Sequence, residues 1–103
     1  MTDKFLFMLG LARKAGSVII GTELVTKNLA GGKIKLVIYT QNSSANTEKR
    51  VTDKCKFYGV ECVKTIHDSD TVSHAVGKSG SVCVIGITNE SFSTQLKSLI
   101  LNI

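Results

Sequence analysis

Four short apolar runs, spaced along the chain by segments of helical periodicity, constrain the fold more than any other feature. They are Val18-Ile19-Ile20, Leu36-Val37-Ile38-Tyr39, Val60 to Thr65 and Val82 to Ile87. Each is rich in β-branched residues and too short to be a helix, so each reads as a buried strand. The intervening segments repeat their apolar residues at three and four. Asp3 to Lys14 sets Phe5, Leu6, Leu9 and Ala12 on one side and is closed by Gly16. Thr22 to Ala30 is a second helix, with Leu24, Val25 and Leu29 as its apolar side and Gly31-Gly32 as its end. After the polar turn Gln41-Asn42-Ser43-Ser44, a helix from Ala45 to Tyr58 carries a buried stripe of Thr47, Val51, Cys55 and Tyr58, ended by Gly59. Asp68 to Val76 is a weak helix. Ser91 to Leu101 is a final one, with Phe92, Gln95, Leu96, Leu99 and Ile100 facing in. The alternation predicts a three-layer α/β/α sandwich around a largely parallel sheet. With 103 residues, 43% of them hydrophobic, and no proline, repeat or linker, the chain is expected to be one domain, residues 1–103.

Charge is distributed unevenly. Residues 1–66 hold eleven Lys/Arg against five Asp/Glu, and residues 67–103 hold two against three, for a total of +5. A one-sided basic surface is the electrostatic footprint of a protein that meets a polyanion. A membrane surface fits less well, because no segment pairs a cationic face with an exposed Leu/Phe/Trp face. No apolar run approaches the ~18 residues of a spanning helix. No signal-peptide pattern opens the chain, so a cytoplasmic location is expected and the sequons at Asn42 and Asn89 carry no meaning. Cys55, Cys62 and Cys83 are odd in number and lack metal spacing; they read as buried, reduced core thiols.

The stretch Gly21-Thr22-Glu23-Leu24-Val25-Thr26-Lys27 carries the first functional signal. Gly21 breaks the strand, Thr22 is a candidate helix cap, and the free N–H groups of a helix start suit an anion such as phosphate. Lys27 stands one turn on from Glu23, either as a second positive element or as an ordinary i,i+4 partner of that carboxylate. Enzymatic motifs fail on their spacing. Gly77-Lys78-Ser79 resembles the end of a phosphate-binding P-loop, but Val72 stands where that motif needs a glycine, and a strand follows where it needs a helix. His67 and His74, with Asp68 and Asp70, lack the spacing of a metal site and read as an exposed loop and helix start. No nucleophile motif is recognisable. The chain reads as a non-enzymatic protein without catalytic residues, metal, cofactor or small-molecule substrate.

Four segments resemble a known family. Leu9-Gly10-Leu11-Ala12-Arg13-Lys14-Ala15-Gly16, then Gly21 through Lys27, then Lys35-Leu36-Val37, then Asn46-Thr47-Glu48-Lys49-Arg50-Val51-Thr52-Asp53-Lys54-Cys55 are similar to the YlxQ-type bacterial proteins. These belong to the L-seven-Ae ribosomal protein superfamily of kink-turn RNA binders, and the resemblance covers nearly the whole chain. It implies an α/β/α sandwich with a four-stranded mixed sheet. It also implies recognition of a sharply bent RNA duplex bearing tandem sheared G·A pairs, in ribosomal or other structured RNA. In archaeal and eukaryotic binders the motif is Gly-x-Asn-Glu-x-Thr-Lys, whose Asn, Glu and Lys reach guanine edges. Gly21, Thr26 and Lys27 match it. Glu23 stands in place of Asn and Leu24 in place of Glu, positions at which bacterial members vary. A Glu carboxylate accepts from a guanine amino or imino group but cannot donate to the O6/N7 edge.

The second contact that the resemblance implies is the loop before the last strand, here Gly77-Lys78-Ser79-Gly80-Ser81. It is shorter and more polar than in archaeal members, which suits backbone contact to phosphate. The expected RNA-binding residues are therefore Gly21, Thr22, Glu23, Lys27, Lys33, Arg13, Lys14, Gly77, Lys78, Ser79 and Gly80, on a monomer. Gly21 and Thr22 contribute backbone N–H groups, Lys27 and Lys33 flank the helix start, and Glu23 and Lys27 select at the G·A step. The alternative is a protein–protein adaptor that keeps the fold without RNA.

Overall fold

Polar side chains at the expected boundaries start the helices in the computed structural model, which describes residues 3–101. The Asp3 carboxylate accepts from the Leu6 N–H and opens α1 (Lys4–Lys14), and the Ser44 hydroxyl accepts from the Thr47 N–H and opens α3 (Ala45–Tyr58). Asp68 does the same for α4 (Ser69–Ala75) through the Thr71 N–H. The remaining helices are α2 (Thr22–Asn28), prolonged by a 3-10 turn over Leu29–Gly31, and α5 (Glu90–Leu101). The four strands are β1 (Val18–Ile20), β2 (Leu36–Tyr39), β3 (Glu61–Lys64) and β4 (Val84–Ile87). The third and fourth apolar runs thus span less strand than their length suggests: Val60 and Thr65 flank β3, and Val82 and Cys83 complete the loop before β4.

The sheet order is β1-β4-β2-β3. β2 and β3 are parallel, whereas β4 runs antiparallel to both β1 and β2. The mixed sheet is therefore as the family resemblance implies, and the largely parallel sheet expected from alternation alone is corrected. The reason lies in the connection before β4. Tyr39 pairs with both Lys64 and Val84, so β3 ends and β4 begins at the same end of the sheet. The seven residues of α4 rise only ~10 Å, and the loop that follows Val76 returns the chain to the Tyr39 end of the sheet, where β4 begins.

Period-two alternation divides the core into two layers. Leu36, Ile38, Ile85, Ile87 and Val18 face α1, α4 and α5, where Phe5, Leu9, Val72, Leu96 and Ile100 cover them. Val37, Tyr39 and Val84 face α2 and α3, against Val25, Leu29, Ile34, Val51 and Cys55. Each large side chain removed from water here contributes ~1.5–3 kcal/mol. Gly86 is closely fitted, since a Cβ there would stand 3.0 Å from Ile34 Cδ1 and oblige that side chain to shift.

Several side chains depart from the periodic reading. Leu24, Tyr58 and Gln95 are exposed rather than inward, and Thr47 is only half-buried. His67 does not lie free in a loop. Its ring stacks on Phe5 at 5.0 Å, its Nε2 lies 2.7 Å from Asp3 Oδ2, and its Nδ1 lies 2.7 Å from Thr65 Oγ1. Among the described residues, no group of three or more His, Cys, Asp or Glu side chains converges as a metal site would require. All three cysteines are free thiols; Cys55 is buried, while Cys62 and Cys83 are half-buried rather than fully enclosed.

Two stability measurements test this packing. His67 holds the Asp3 carboxyl below its ordinary value of 3.8. A depressed carboxylate stabilises the fold above its unfolded pKa, and that contribution fades as pH falls through the folded one. Asp3→Asn, which retains a capping side chain, should therefore lower stability at neutral pH by no more than ~1 kcal/mol. The two proteins should converge in acid, below pH 3.8; a constant difference across an acid titration would contradict the pairing. The thiols give the second test. A hydrogen bond to Cys55, together with burial, pushes the Cys62 thiol well up. Native protein should react with thiol reagents slowly, with Cys55 slowest, and unfolded protein quickly. Fast native labelling of Cys55 would contradict its burial.

Candidate nucleic-acid interface

The chain turns sharply where β1 meets α2. Gly21 adopts φ 105°, a left-handed conformation that strains any residue with a Cβ. Its N–H donates to the Val84 carbonyl at 2.9 Å, extending the β1–β4 ladder by one bond. Gly21 is thus the residue preceding the helix, and its N–H is not available to an anion. Thr22 is already helical and does not cap with its side chain; its carbonyl instead accepts from Thr26 Oγ1 at 2.9 Å. The Val25 N–H makes the first bond of the helix, to the Gly21 carbonyl at 3.0 Å. The donors ahead of that bond are those of Thr22, Glu23 and Leu24.

Side chains divide sharply around this turn. Val25, Thr26 and Leu29 are buried, whereas Leu24 stands 53% exposed beside the open N–H groups. Glu23 does not pair with Lys27. Arg50 reaches across from α3 and grips both Glu23 oxygens, Nη1 to Oε1 at 2.6 Å and Nη2 to Oε2 at 3.2 Å. The pair lies in open solvent, and Arg50 holds the Glu23 carboxyl below its ordinary range. Lys27 is exposed on the same face and has no ion-pair partner among the described residues. Arg50 is the residue of this corner that the sequence reading missed. It lies inside the Asn46–Cys55 segment that resembles the family, but nothing in the sequence pairs it with Glu23.

The loop before β4 reaches the same end of the sheet. Its first half closes α4: the Gly77 N–H donates to the His74 carbonyl at 3.1 Å and the Lys78 N–H to the Ser73 carbonyl at 2.9 Å. That pairing is the usual glycine-closed helix end, so these two N–H groups are occupied. Ser79 and Gly80 remain exposed, and Ser81 Oγ donates to the Asp70 carboxylate at 3.2 Å. Arg13 Nε donates to the Val76 carbonyl at 3.3 Å, which brings the cationic end of α1, Arg13 and Lys14, against the loop's origin. The loop then passes Cys83, whose carbonyl accepts from the Thr40 N–H, and enters β4 beside Gly21.

The structure therefore brings together Gly21, Thr22, Glu23, Arg50 and the start of β4, into which the Gly77–Ser81 loop leads; Arg13 and Lys14 meet the origin of that loop at the end of α1, four residues before β1 starts, toward the other end of the sheet. It does not bring Lys33 with them. Lys33 follows the 3-10 turn and precedes β2, at the end of the sheet where β2 starts, one helix length from Gly21. The expectation that Lys33 flanks the helix start is corrected by this topology. No helix among the described residues is long and apolar enough to cross a membrane.

Known proteins are similar to this chain in sequence and fold. The chain is 38% identical over 93 residues to RNA-binding protein YlxQ of Bacillus subtilis (strain 168), covering 90% of this chain and 91% of that one. It is 33% identical over 98 residues to RNA-binding protein YlxQ of Enterococcus faecium, covering 95% and 92%. A solved structure from Bacillus halodurans C, of a protein with unknown function, superposes with a TM-score of 0.89 at 34% identity, over 96% of this chain and 98% of that one. The Giardia lamblia 15.5kD RNA binding protein has the same fold, with a TM-score of 0.77 at 16% identity over 100% and 90% of the two chains. Residues 3–97 match the Ribosomal protein L7Ae/L30e/S12e/Gadd45 family, and the chain belongs to that family.

Proposed function

We propose that this protein binds structured RNA and recognises kink-turns, as a monomer, through the corner formed by the first turn of α2, Lys27 and the loop before β4. The observation that carries the reading is the Gly21–Val84 hydrogen bond, which joins the two segments assigned to RNA by the family resemblance. The names of the Bacillus and Enterococcus relatives support the RNA partner. The activity is binding and not catalysis, in keeping with those names.

The chemistry of the corner divides into positioning and selection. The N–H groups of Thr22, Glu23 and Leu24, with the Lys27 ammonium, bind phosphate oxygens without regard to sequence. Arg13, Lys14 and Lys78 extend that field around the loop. Selection comes from the bent shape of the RNA and from Glu23 and Lys27 at the G·A step. Leu24 offers apolar contact to a ribose or base edge in place of a hydrogen bond. The Glu23 carboxylate is held by Arg50, so reading a guanine requires it to turn from that partner. With fewer base-edge contacts than archaeal members make, the preference for a kink-turn over a straight duplex is present but reduced.

A competition titration at fixed salt tests this. A kink-turn RNA should bind more tightly than the same RNA with its G·A pairs changed to Watson–Crick pairs. Equal affinities would sink kink-turn recognition and leave general RNA binding or the adaptor reading. Lys27→Ala should weaken both RNAs about equally and reduce the slope of log K against log salt by somewhat under about one unit. An unchanged slope would move the RNA to another face.

Glu23→Asn supplies an amide donor, removes a negative charge and frees Arg50. Kink-turn preference should rise. In an Arg50→Ala background the same substitution should still raise preference, but its gain in total affinity should differ from that in the wild type, because Glu23 is then an uncompensated charge beside phosphate and no guanidinium is released. Identical gains in both backgrounds would show that the Arg50–Glu23 pair plays no part in binding.

A further inference from the structure

One face of α3 is unexplained by the corner. Arg50, Asp53, Lys54, Phe57 and Tyr58 follow one another at intervals of three, four, seven and eight from the first, and together line an open groove of about 580 Å³. Phe57 is 80% exposed and Tyr58 40%, and their rings meet edge to face at 4.9 Å and 87°. The apolar periodicity of α3 is satisfied by Val51 and Cys55 on its opposite side, so neither ring contributes to the core.

We infer that this face of α3 takes an unpaired RNA strand leaving the bent duplex, with Phe57 and Tyr58 as a platform on which a base stacks. The inference rests on the RNA-binding reading above. Three observations carry it. The groove is continuous with the corner, because Arg50, its first residue, is also the partner of Glu23 at the first turn of α2. Its charge admits a polyanion: Lys54 stands beside Asp53, Arg50 is balanced by Glu23 and becomes available when that carboxylate turns to the RNA, and the other acidic residue of α3, Glu48, is turned to Lys64 of β3 at 3.7 Å. Lys33 stands at the end of the sheet where α3 terminates, beside the 3-10 turn that packs on α3, so a strand running along the helix meets a further cation there. From Arg50 to Tyr58 the groove runs ~12 Å, room for a short unpaired segment. Aromatic rings interleaved with cations are the means by which proteins hold single strands, since every base has a face to stack.

The test compares a blunt kink-turn RNA with the same RNA carrying an oligouridine extension, at either end in turn, at fixed salt. One extended form should bind wild-type protein at least about fivefold more tightly than the blunt form, the gain that a single stacked base supplies. Phe57→Ala combined with Tyr58→Ala should abolish the gain and leave blunt RNA unaffected. Phe57→Trp, which keeps a stacking face, should retain it, and Lys33→Ala should reduce it. No gain in wild type, or a gain that survives the double substitution, would overturn the inference. So would self-association of the wild type, by sedimentation, that the double substitution removes, because the face would then be an interface between copies. Loss of kink-turn preference alongside a Phe57-dependent gain would instead remove kink-turn recognition and leave this surface standing.

Discussion

A single hydrogen bond organises the functional end of this molecule. The Gly21 N–H reaches the Val84 carbonyl at 2.9 Å because β4 lies between β1 and β2 and runs against both. Were β4 parallel to its neighbours, its first residue would lie at the far end of the sheet, and the loop before it would meet Lys33 rather than Gly21. The antiparallel insertion therefore decides which loops become neighbours. It also explains why α4 is short. The helix has only to turn the chain from the end of β3 to the start of β4 at one end of the sheet, and Arg13 holds its last turn through the Val76 carbonyl.

That arrangement needs a rigid support, and the two cores supply it. Alternate residues of the two central strands, β2 and β4, are enclosed on opposite faces, so displacing either would disturb both layers together. Gly86 illustrates how close the fit is. The space that its side chain would take is filled by Ile34, which stands between the 3-10 turn and β2 and packs the α2–α3 layer onto the central strand. The first turn of α2 is thus fixed from below by Val25 and Leu29 while its upper surface stays open. A site held on strand ends and helix starts keeps its geometry better than one built wholly on loops.

Much of this was legible in the sequence, and the failures have specific causes. The α3 boundaries follow from Ser44 as cap and Gly59 as terminator, both local signals that need no tertiary knowledge. Strand direction is not local: the segment from Thr65 to Cys83 is long enough for a crossover, and only the brevity of α4 shows that it makes none. Tyr58 fits the inward stripe by spacing yet lies outside, its ring against Phe57 rather than in the core. Leu24 is apolar at a position where the helix meets solvent. Arg50 lies within a segment that resembles the family, but its partner is not legible there, since its contact with Glu23 spans 27 residues and depends on how α2 and α3 cross. The free N–H groups were anticipated at the right turn, but the ladder bond that occupies Gly21 depends on β4.

The pairing of Glu23 with Arg50 bears on how a corner with a carboxylate at its centre can face a polyanion at all. An uncompensated Glu23 would repel phosphate at the same helix start whose N–H groups attract it. Arg50 cancels that charge without burying either group, so the pair remains in solvent and is weakened by salt as the phosphate contacts are. Binding can then exchange one ionic contact for another: Arg50 turns to phosphate as Glu23 turns to a guanine amino group, and both charges stay paired. Such an exchange costs far less than opening a buried ion pair, whose separated charges would lack solvent. It also ties the corner to α3, because the guanidinium that leaves Glu23 is the first cation of the groove leading to Phe57. The departures at Glu23 and Leu24 are then not simply losses from the archaeal pattern. On the proposed reading they replace part of a direct readout by an ionic exchange that depends on a residue of another helix.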